Sequence, residues 1–235
     1  MCLPYLTLFS LQTIGCKQAA EVGRQLRDVG ITRILSSPMI RTVMTSDIIA
    51  EALGLGEKSI CVEYGLVEEA KSFRGKTASE PRPNWEPLVL PVSELTQHSN
   101  RIDTSYKTLH EVVHVRDESK PNTVREHHDT LTDRDQITRD RCKQTLLKIL
   151  LNEGFKDDVV LCVGHGATVL SSIMVLEADL SPEDKIKGER NVSCFAEFQP
   201  VDPANPLGPW KSVTGNWGTG NIFGDSAEDA ADKGL

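Results

Sequence analysis

The chain has 235 residues, 39% of them hydrophobic and 26% charged, which is enough for one domain with a sizeable core. Its net charge of −8 at pH 7 argues against nucleic acid or an anionic membrane as a main partner. A phosphorylated ligand stays open, because a few arginines in a pocket can hold a phosphate within an acidic protein.

Six cysteines are scattered without a Cys-x-x-Cys pair. Cys16, Cys142 and Cys162 fall on expected core-facing positions, which predicts buried free thiols in a reducing compartment. The apolar first fourteen residues lack a basic start and are too short to span a bilayer. Thr13-Ile14-Gly15-Cys16 lacks the leucine that a lipoprotein cleavage site wants. A soluble cytoplasmic protein is the expectation.

A first helix is predicted over about 13–28, because Ala19, Val22, Leu26 and Val29 follow the spacing of one buried face and Gly30 supplies a stop. Ile31–Leu35 reads as a short strand. Ser37 then stands as an N-cap with Pro38 at the first helical position, and Ile40, Met44, Ile48 and Ala52 form the apolar stripe of the next helix. Gly54 and Gly56 close it. Ile60–Val62 is another strand, ending near Tyr64-Gly65-Leu66.

Residues 71 to about 133 differ in character. Pro81, Pro83, Pro87 and Pro91 crowd one stretch and polar residues dominate the rest, so a long insertion is expected. One short helix is predicted near 93–98, with mobility over 116–132. Periodicity returns at 136–152, where Cys142, Leu146, Ile149 and Leu150 share a face and Gly154 ends the helix.

Val159–Val163 is an unbroken apolar run, which suits a strand buried on both faces of a parallel sheet. Gly164-His165-Gly166 follows, placing His165 at the strand's carboxyl end, where open α/β sheets bind ligands. A helix over about 167–176 comes next. A short one opens at Ser181-Pro182-Glu183-Asp184, capped by Ser181. Residues 194–199 and 210–214 resemble a closing hairpin or a pair of edge strands. The strand–helix alternation predicts an α/β fold, three layers α/β/α with a mostly parallel central sheet. A single domain is expected over 1–215, with a flexible tail at 216–235.

Four residues attract chemistry. Ser37 and Pro38 at a helix start would offer backbone N–H groups to an anion, and Arg41 one turn in could grip phosphate oxygens bidentately. The competing reading is a plain cap and a solvated arginine. Glu68, in Leu66-x-Glu68 after a strand, could be a partly desolvated acid that protonates a leaving group. Glu63 and Glu69 lie close by, and most glutamates are simply exposed. His165 is the fourth. His127-His128-Asp129 is set aside as a metal cluster, since adjacent side chains on an extended segment diverge and no third ligand is well spaced. His98, His110 and His114 carry no better case. The run at 215–220 lacks the strand-then-helix context of a dinucleotide fingerprint. No metal and no cofactor are expected.

Taken together these residues resemble the histidine phosphatase superfamily, with its phosphoglycerate mutase-like fold. The family's helix start is similar to Leu11-Gln12-Thr13-x-Gly15-x-x-Gln18-Ala19, with Gln12 departing from it, and its Ser-Pro-x-x-Arg-x-x-x-Thr appears as Ser37-Pro38-x-x-Arg41-x-x-x-Thr45. The acid falls on Glu68 and the family's second histidine on His165. The likeness is stronger to the phosphatase domain of the TULA (Sts) type, through Val62-Glu63-x-Gly65-Leu66, Gly75-Lys76-Thr77, Ile102-Asp103-Thr104-x-Tyr106, Asp140-Arg141-Cys142 and Cys194-Phe195-x-Glu197.

The resemblance implies phosphomonoester chemistry without a metal: Arg41 and His165 around the phosphoryl group, Glu68 as acid and then base. The partner would be a phosphorylated small molecule or a phosphoprotein, and a homodimer is expected by analogy. The family's nucleophile belongs to an Arg-His-Gly motif on its first strand. No such tripeptide occurs in this sequence, and residues 1–10 contain neither histidine nor arginine. The resemblance therefore implies a first strand that is missing or replaced, beside the strand ending in His165, and a phosphatase without its nucleophile. A truncated product or an upstream start is expected ahead of a purposeful pseudoenzyme.

Overall fold

The computed structural model describes residues 13–68, 90–110, 114–116, 124–126, 134–181, 184–186, 193–214, 216 and 218–219. Helix α1 runs Thr13–Gln25, and a 3-10 turn at Arg27–Val29 carries the chain to Gly30, whose φ of 80° is left-handed and costs a glycine least. Ala19, Val22 and Leu26 are buried as their spacing predicts. Strand β1 (Arg33–Ser36) leads into α2 (Ile40–Leu53), which Gly54 ends at φ 71°. Strand β2 (Ile60–Val62) follows, then a 3-10 turn at Tyr64–Leu66.

Helix α2 departs from two expectations. It starts at Ile40 with Met39 in the cap position, so Ser37 is not its N-cap. The buried residues are Thr42, Val43, Ser46, Ile49 and Ala50, whereas Ile40, Met44, Ile48 and Ala52 are only partly buried. Thr42 reaches the buried face because the backbone can satisfy it: its Oγ1 donates to the carbonyls of Ser37 (2.9 Å) and Met39 (2.8 Å). Ala52 instead faces α1, where a Cβ built on Gly23 would stand 2.6 Å from the Ala52 Cβ. A pattern that counts only apolar side chains misplaces such a face.

Among the residues of the expected insertion, α3 (Val92–Leu95) is described, and β3 (His114–Arg116) pairs antiparallel with β4 (Val124–Glu126). Leu90, Leu95 and Ile102 belong to the core, and Ile102 bridges to Ile60. The stretches 71–89, 117–123 and 127–133 lie outside the described residues, as do His127, His128 and Asp129. Helix α4 spans Arg134–Leu150, strand β5 Val160–Val163 and helix α5 Gly166–Leu176.

Strands β6 (Cys194–Phe195), β7 (Phe198–Pro200), β8 (Trp210–Ser212) and β9 (Gly218–Thr219) form two small antiparallel pairs, β7 with β8 and β6 with β9. The first pair answers the hairpin alternative over 198–200 and 210–212 only; Cys194–Phe195, expected in the same strand, pairs instead with Gly218–Thr219. The helix expected at 181–184 lies partly outside the described residues; Ser181 does donate its hydroxyl to Asp184 at 2.6 Å. The expected tail from 216 lies almost wholly outside them, as do residues 1–12.

The central sheet is parallel, in the order β2-β1-β5. Alternation along each strand sorts side chains to two faces. Ile34, Ile60 and Val62 pack with Ala19, Val22, Val43 and Ile49 of α1 and α2; Leu35 and Cys61 pack with Ile149 of α4 and Phe155. Helices therefore cover both faces, which gives the three-layer α/β/α fold expected.

Strand β5 is not buried as its apolar run predicts. It is only partly buried, and Cys162 is exposed, contrary to its expected core position; Cys142 is buried and Cys16 half-buried. The carbonyls of Val159 and Val163 accept from β1, at Thr32 N–H (3.0 Å) and Ser37 N–H (2.9 Å). By alternation the backbone groups of Val160 and Cys162 point the other way. No described strand lies on that side. This is where the missing or replaced first strand was expected, and residues 1–10, the expected replacement, lie outside the described residues.

Candidate functional site

Three carboxyl-side ends of the sheet converge. β1 delivers Ser37, the turn after β2 delivers Glu68, and β5 delivers His165; Arg41 reaches in from the first turn of α2. All four residues singled out from the sequence meet here. Ser37 Oγ lies 2.8 Å from His165 Nε2, and Arg41 Nη2 lies 2.9 Å from His165 Nδ1. Glu68 Oε2 stands 3.5 Å from both Arg41 Nη2 and His165 Nδ1. The His165 side chain is 3% exposed, Glu68 14% and Arg41 37%, so only the arginine head reaches well toward solvent.

These contacts fix the histidine's protonation. A guanidinium only donates, so Nδ1 accepts from Arg41; the ring proton then sits on Nε2 and is donated to Ser37 Oγ. The imidazole is neutral in this arrangement. Burial first, then the positive charges of Arg41 and Arg141, push its pKa well below the ordinary 6.5. Burial also lowers the Arg41 guanidinium and Glu68 raises it in return, yet the group remains a cation.

Ser37 thus has a different task from the one its sequence position implied. It is fully buried, and it holds an imidazole instead of capping a helix. The helix whose N-terminus faces this place is α5, with His165 extended in its cap position and Gly166 and Ala167 lining the cavity. The positive end of its dipole points at the site. The cavity, about 780 Å³, runs from Arg41, Glu68 and His165 along Leu161, Cys162 and Val163, so it borders the side of β5 on which no described strand lies.

Two buried groups behind the site carry more of its architecture than the sequence suggested. Glu63, weighed only as a neighbour of Glu68, is fully buried. Its carboxylate accepts from Gly65 N–H (2.9 Å), Thr108 Oγ1 (2.7 Å), His110 N–H (3.1 Å), Tyr106 O–H (2.7 Å) and Leu109 N–H (2.8 Å). Arg141 on α4 is 5% exposed. It donates through Nη1 to the carbonyls of Gly65 (2.9 Å) and Val67 (2.7 Å). The signal for it was present: Thr138, Arg141 and Thr145 form a polar stripe at helical spacing, and all three are buried. His98 and His110 do not enter the site, and no group of metal-ligating side chains occurs among the described residues.

Comparison with known proteins bears on the family and the fold. The profile of the histidine phosphatase superfamily (branch 1) matches residues 8–112, a span that includes Ser37, Arg41 and Glu68. Human ubiquitin-associated and SH3 domain-containing protein A, a TULA-type protein, is 28% identical over 162 residues, covering 68% of this chain. The chain spans only 21% of that relative's length. The crystal structure of the ecdysone phosphate phosphatase from Bombix mori in complex with tungstate superposes with a TM-score of 0.53 at 20% identity. It covers 78% of this chain and 63% of that one. The chain is thus similar to the histidine phosphatase superfamily (branch 1) over residues 8–112 and to a TULA-type relative, and it shares the phosphoglycerate mutase-like fold of the phosphatase structure.

Proposed function

We propose that this chain binds a phosphoryl group between Arg41, His165 and the N-terminus of α5, and that it does so without forming a phosphohistidine. The observation that carries the reading is the state of His165. Its Nδ1 lone pair is engaged by Arg41 and its Nε2 carries the proton shared with Ser37, so neither nitrogen presents a free lone pair to phosphorus. The sequence holds no Arg-His-Gly to supply another histidine. What is left is electrostatic: a cation, a buried ring and a helix dipole around one point, the kind of preorganised charge that stabilises an oxyanion.

In this reading Arg41 grips two oxygens, and His165 donates once an anion draws Arg41 off Nδ1 and the ring takes a proton. Glu68 is the acid at the leaving-group side. The ligand is a phosphorylated small molecule or a phosphoprotein, and the structural relative's capture of tungstate makes that ion the natural probe. The free thiols among the described residues, buried at Cys61 and Cys142, favour a reducing, cytoplasmic setting.

The test has two arms. Calorimetry should detect tungstate or inorganic phosphate binding that Arg41→Ala abolishes. Hydrolysis of a generic aryl phosphate should run no faster than in an Arg41→Ala, His165→Ala double variant. Turnover clearly above that control favours the second reading, an active phosphatase whose nucleophile is encoded upstream of Met1; sequencing the transcript for an in-frame Arg-His-Gly decides it.

A further inference from the structure

Glu68 does not lie on a strand or a helix. It follows the 3-10 turn that leaves β2, two residues after Leu66, and the direction of its carboxylate depends on how the peptides of that turn are held. Two groups hold them, from opposite sides. On one side the Glu63 carboxylate takes the Gly65 N–H and the amides of Leu109 and His110, which anchors the start of the turn. On the other side Arg141 takes the carbonyls of Gly65 and Val67 with a single nitrogen, while Thr168 Oγ1 of α5 adds a bond to Val67 O at 3.1 Å. The space is tight as well: a Cβ on Gly65 would collide with the Thr145 side chain of α4, one turn from Arg141.

We propose that Arg141 is a positioning residue for the oxyanion site: by bridging the carbonyls of Gly65 and Val67 it fixes the peptide plane from which Glu68 enters the cradle. The inference rests on the reading that Arg41, Glu68 and His165 bind a phosphoryl group. A cationic nitrogen with more than one N–H suits the task, because Nη1 alone donates to two carbonyls that lie two residues apart, whereas a methionine side chain offers no donor to either. The burial of so polar a group is otherwise hard to account for, since removing two carbonyls from water needs a donor for each.

Its charge has a second effect that the experiment must separate from position. His165 faces Arg41 from α2, Glu68 from the turn, Ser37 from the end of β1 and, at longer range, Arg141 from α4. Losing Arg141 therefore alters the field at the site even if Glu68 stays in place.

A double-variant cycle removes that ambiguity. Tungstate affinity is measured for Glu68→Gln against its parent in three backgrounds: the natural chain, Arg141→Met and Arg141→Lys. In the natural chain, removing a carboxylate beside the anion should tighten binding about five- to tenfold. In Arg141→Met the same substitution should change affinity less than about twofold, because the carboxylate is no longer held at the cradle. Arg141→Lys keeps rotatable donors and should restore most of the effect. Since the Arg141 charge is constant within each pair, a Glu68→Gln effect that is the same size in Arg141→Met overturns the proposal.

If Arg141→Met does not fold, Arg141→Gln takes its place. If the natural chain binds no tungstate, the phosphoryl reading fails, and amide hydrogen exchange at Val67 and Glu68 decides the positioning role without ligand. Faster exchange there than in β1, reversed by lysine, supports it; exchange unchanged by Arg141→Met overturns it.

Discussion

Glu63→Gln probes the most heavily satisfied side chain in the described structure. The carboxylate accepts five hydrogen bonds, three at Oε1 and two at Oε2. An amide of the same shape can accept at one end only. The cheaper orientation puts the NH₂ where Oε2 was. Tyr106 can then rotate its hydroxyl to accept, but the Leu109 N–H faces a donor and loses its partner. An unpaired buried N–H costs about 1–3 kcal/mol, and the bonds that survive lose their charge assistance, about 1 kcal/mol each. The easier burial of a neutral amide offsets part of this.

A net destabilisation of about 3 kcal/mol follows for Glu63→Gln. For a chain of this length that corresponds to a fall in melting temperature of roughly 6–12 °C. Urea unfolding followed by circular dichroism measures it directly, with the exposed Glu51→Gln as a control expected within about 0.5 kcal/mol of the parent. Hydrogen exchange should show the loss concentrated at residues 106–110. A Glu63→Gln chain as stable as the control would refute the claim that this carboxylate pins the loop to the sheet.

Other expectations follow from the same coordinates. His165 stays neutral when folded well below 6.5, whereas the unfolded chain takes up its proton near that value. The unfolded state therefore binds more protons in that range, and stability is present above about pH 6.5 and lost as pH falls through it. His165→Asn should flatten the fall between neutral pH and pH 5 in urea titrations; an unchanged slope counts against a buried neutral ring. A bound phosphate should draw a proton onto His165 at pH 6, so calorimetric heats should differ between buffers of unlike ionisation enthalpy, and in Arg41→Ala no such difference should appear. Gly65→Ala should cost about 1–3 kcal/mol by forcing a methyl into Thr145. Adding Thr145→Ala should recover part of that, as thermal unfolding of the three variants will show. Asp158→Ala removes the partly exposed 2.7 Å pair with Arg33 and the bond from Thr32, and should cost only about 1 kcal/mol in the same assay.

Local signals in the sequence set much of the architecture. The three-four spacing of Ala19, Val22 and Leu26, the left-handed glycines at 30 and 54, and the apolar run before His165 place the elements to within a few residues, because each depends on neighbours a turn or less away. Ser37, Arg41, Glu68 and His165 were legible as candidates through the motifs that resemble the family; Ser37, Glu68 and His165 follow strands, whereas Arg41 lies in the first turn of α2.

What each of them does was decided by residues far along the chain. Ser37 reads as a cap in the sequence, and only closing up 128 positions brings His165 to its hydroxyl. The buried face of α2 holds Thr42, because carbonyls of the preceding turn receive its hydroxyl. The apolar strand at 160–163 was expected to be covered on both sides, and among the described residues it is flanked on one. Glu63 and Arg141 look like surface charges in the sequence. A charged side chain becomes interior only where distant segments bring it donors or acceptors, and periodicity records how apolar a face is, not which partners will meet it.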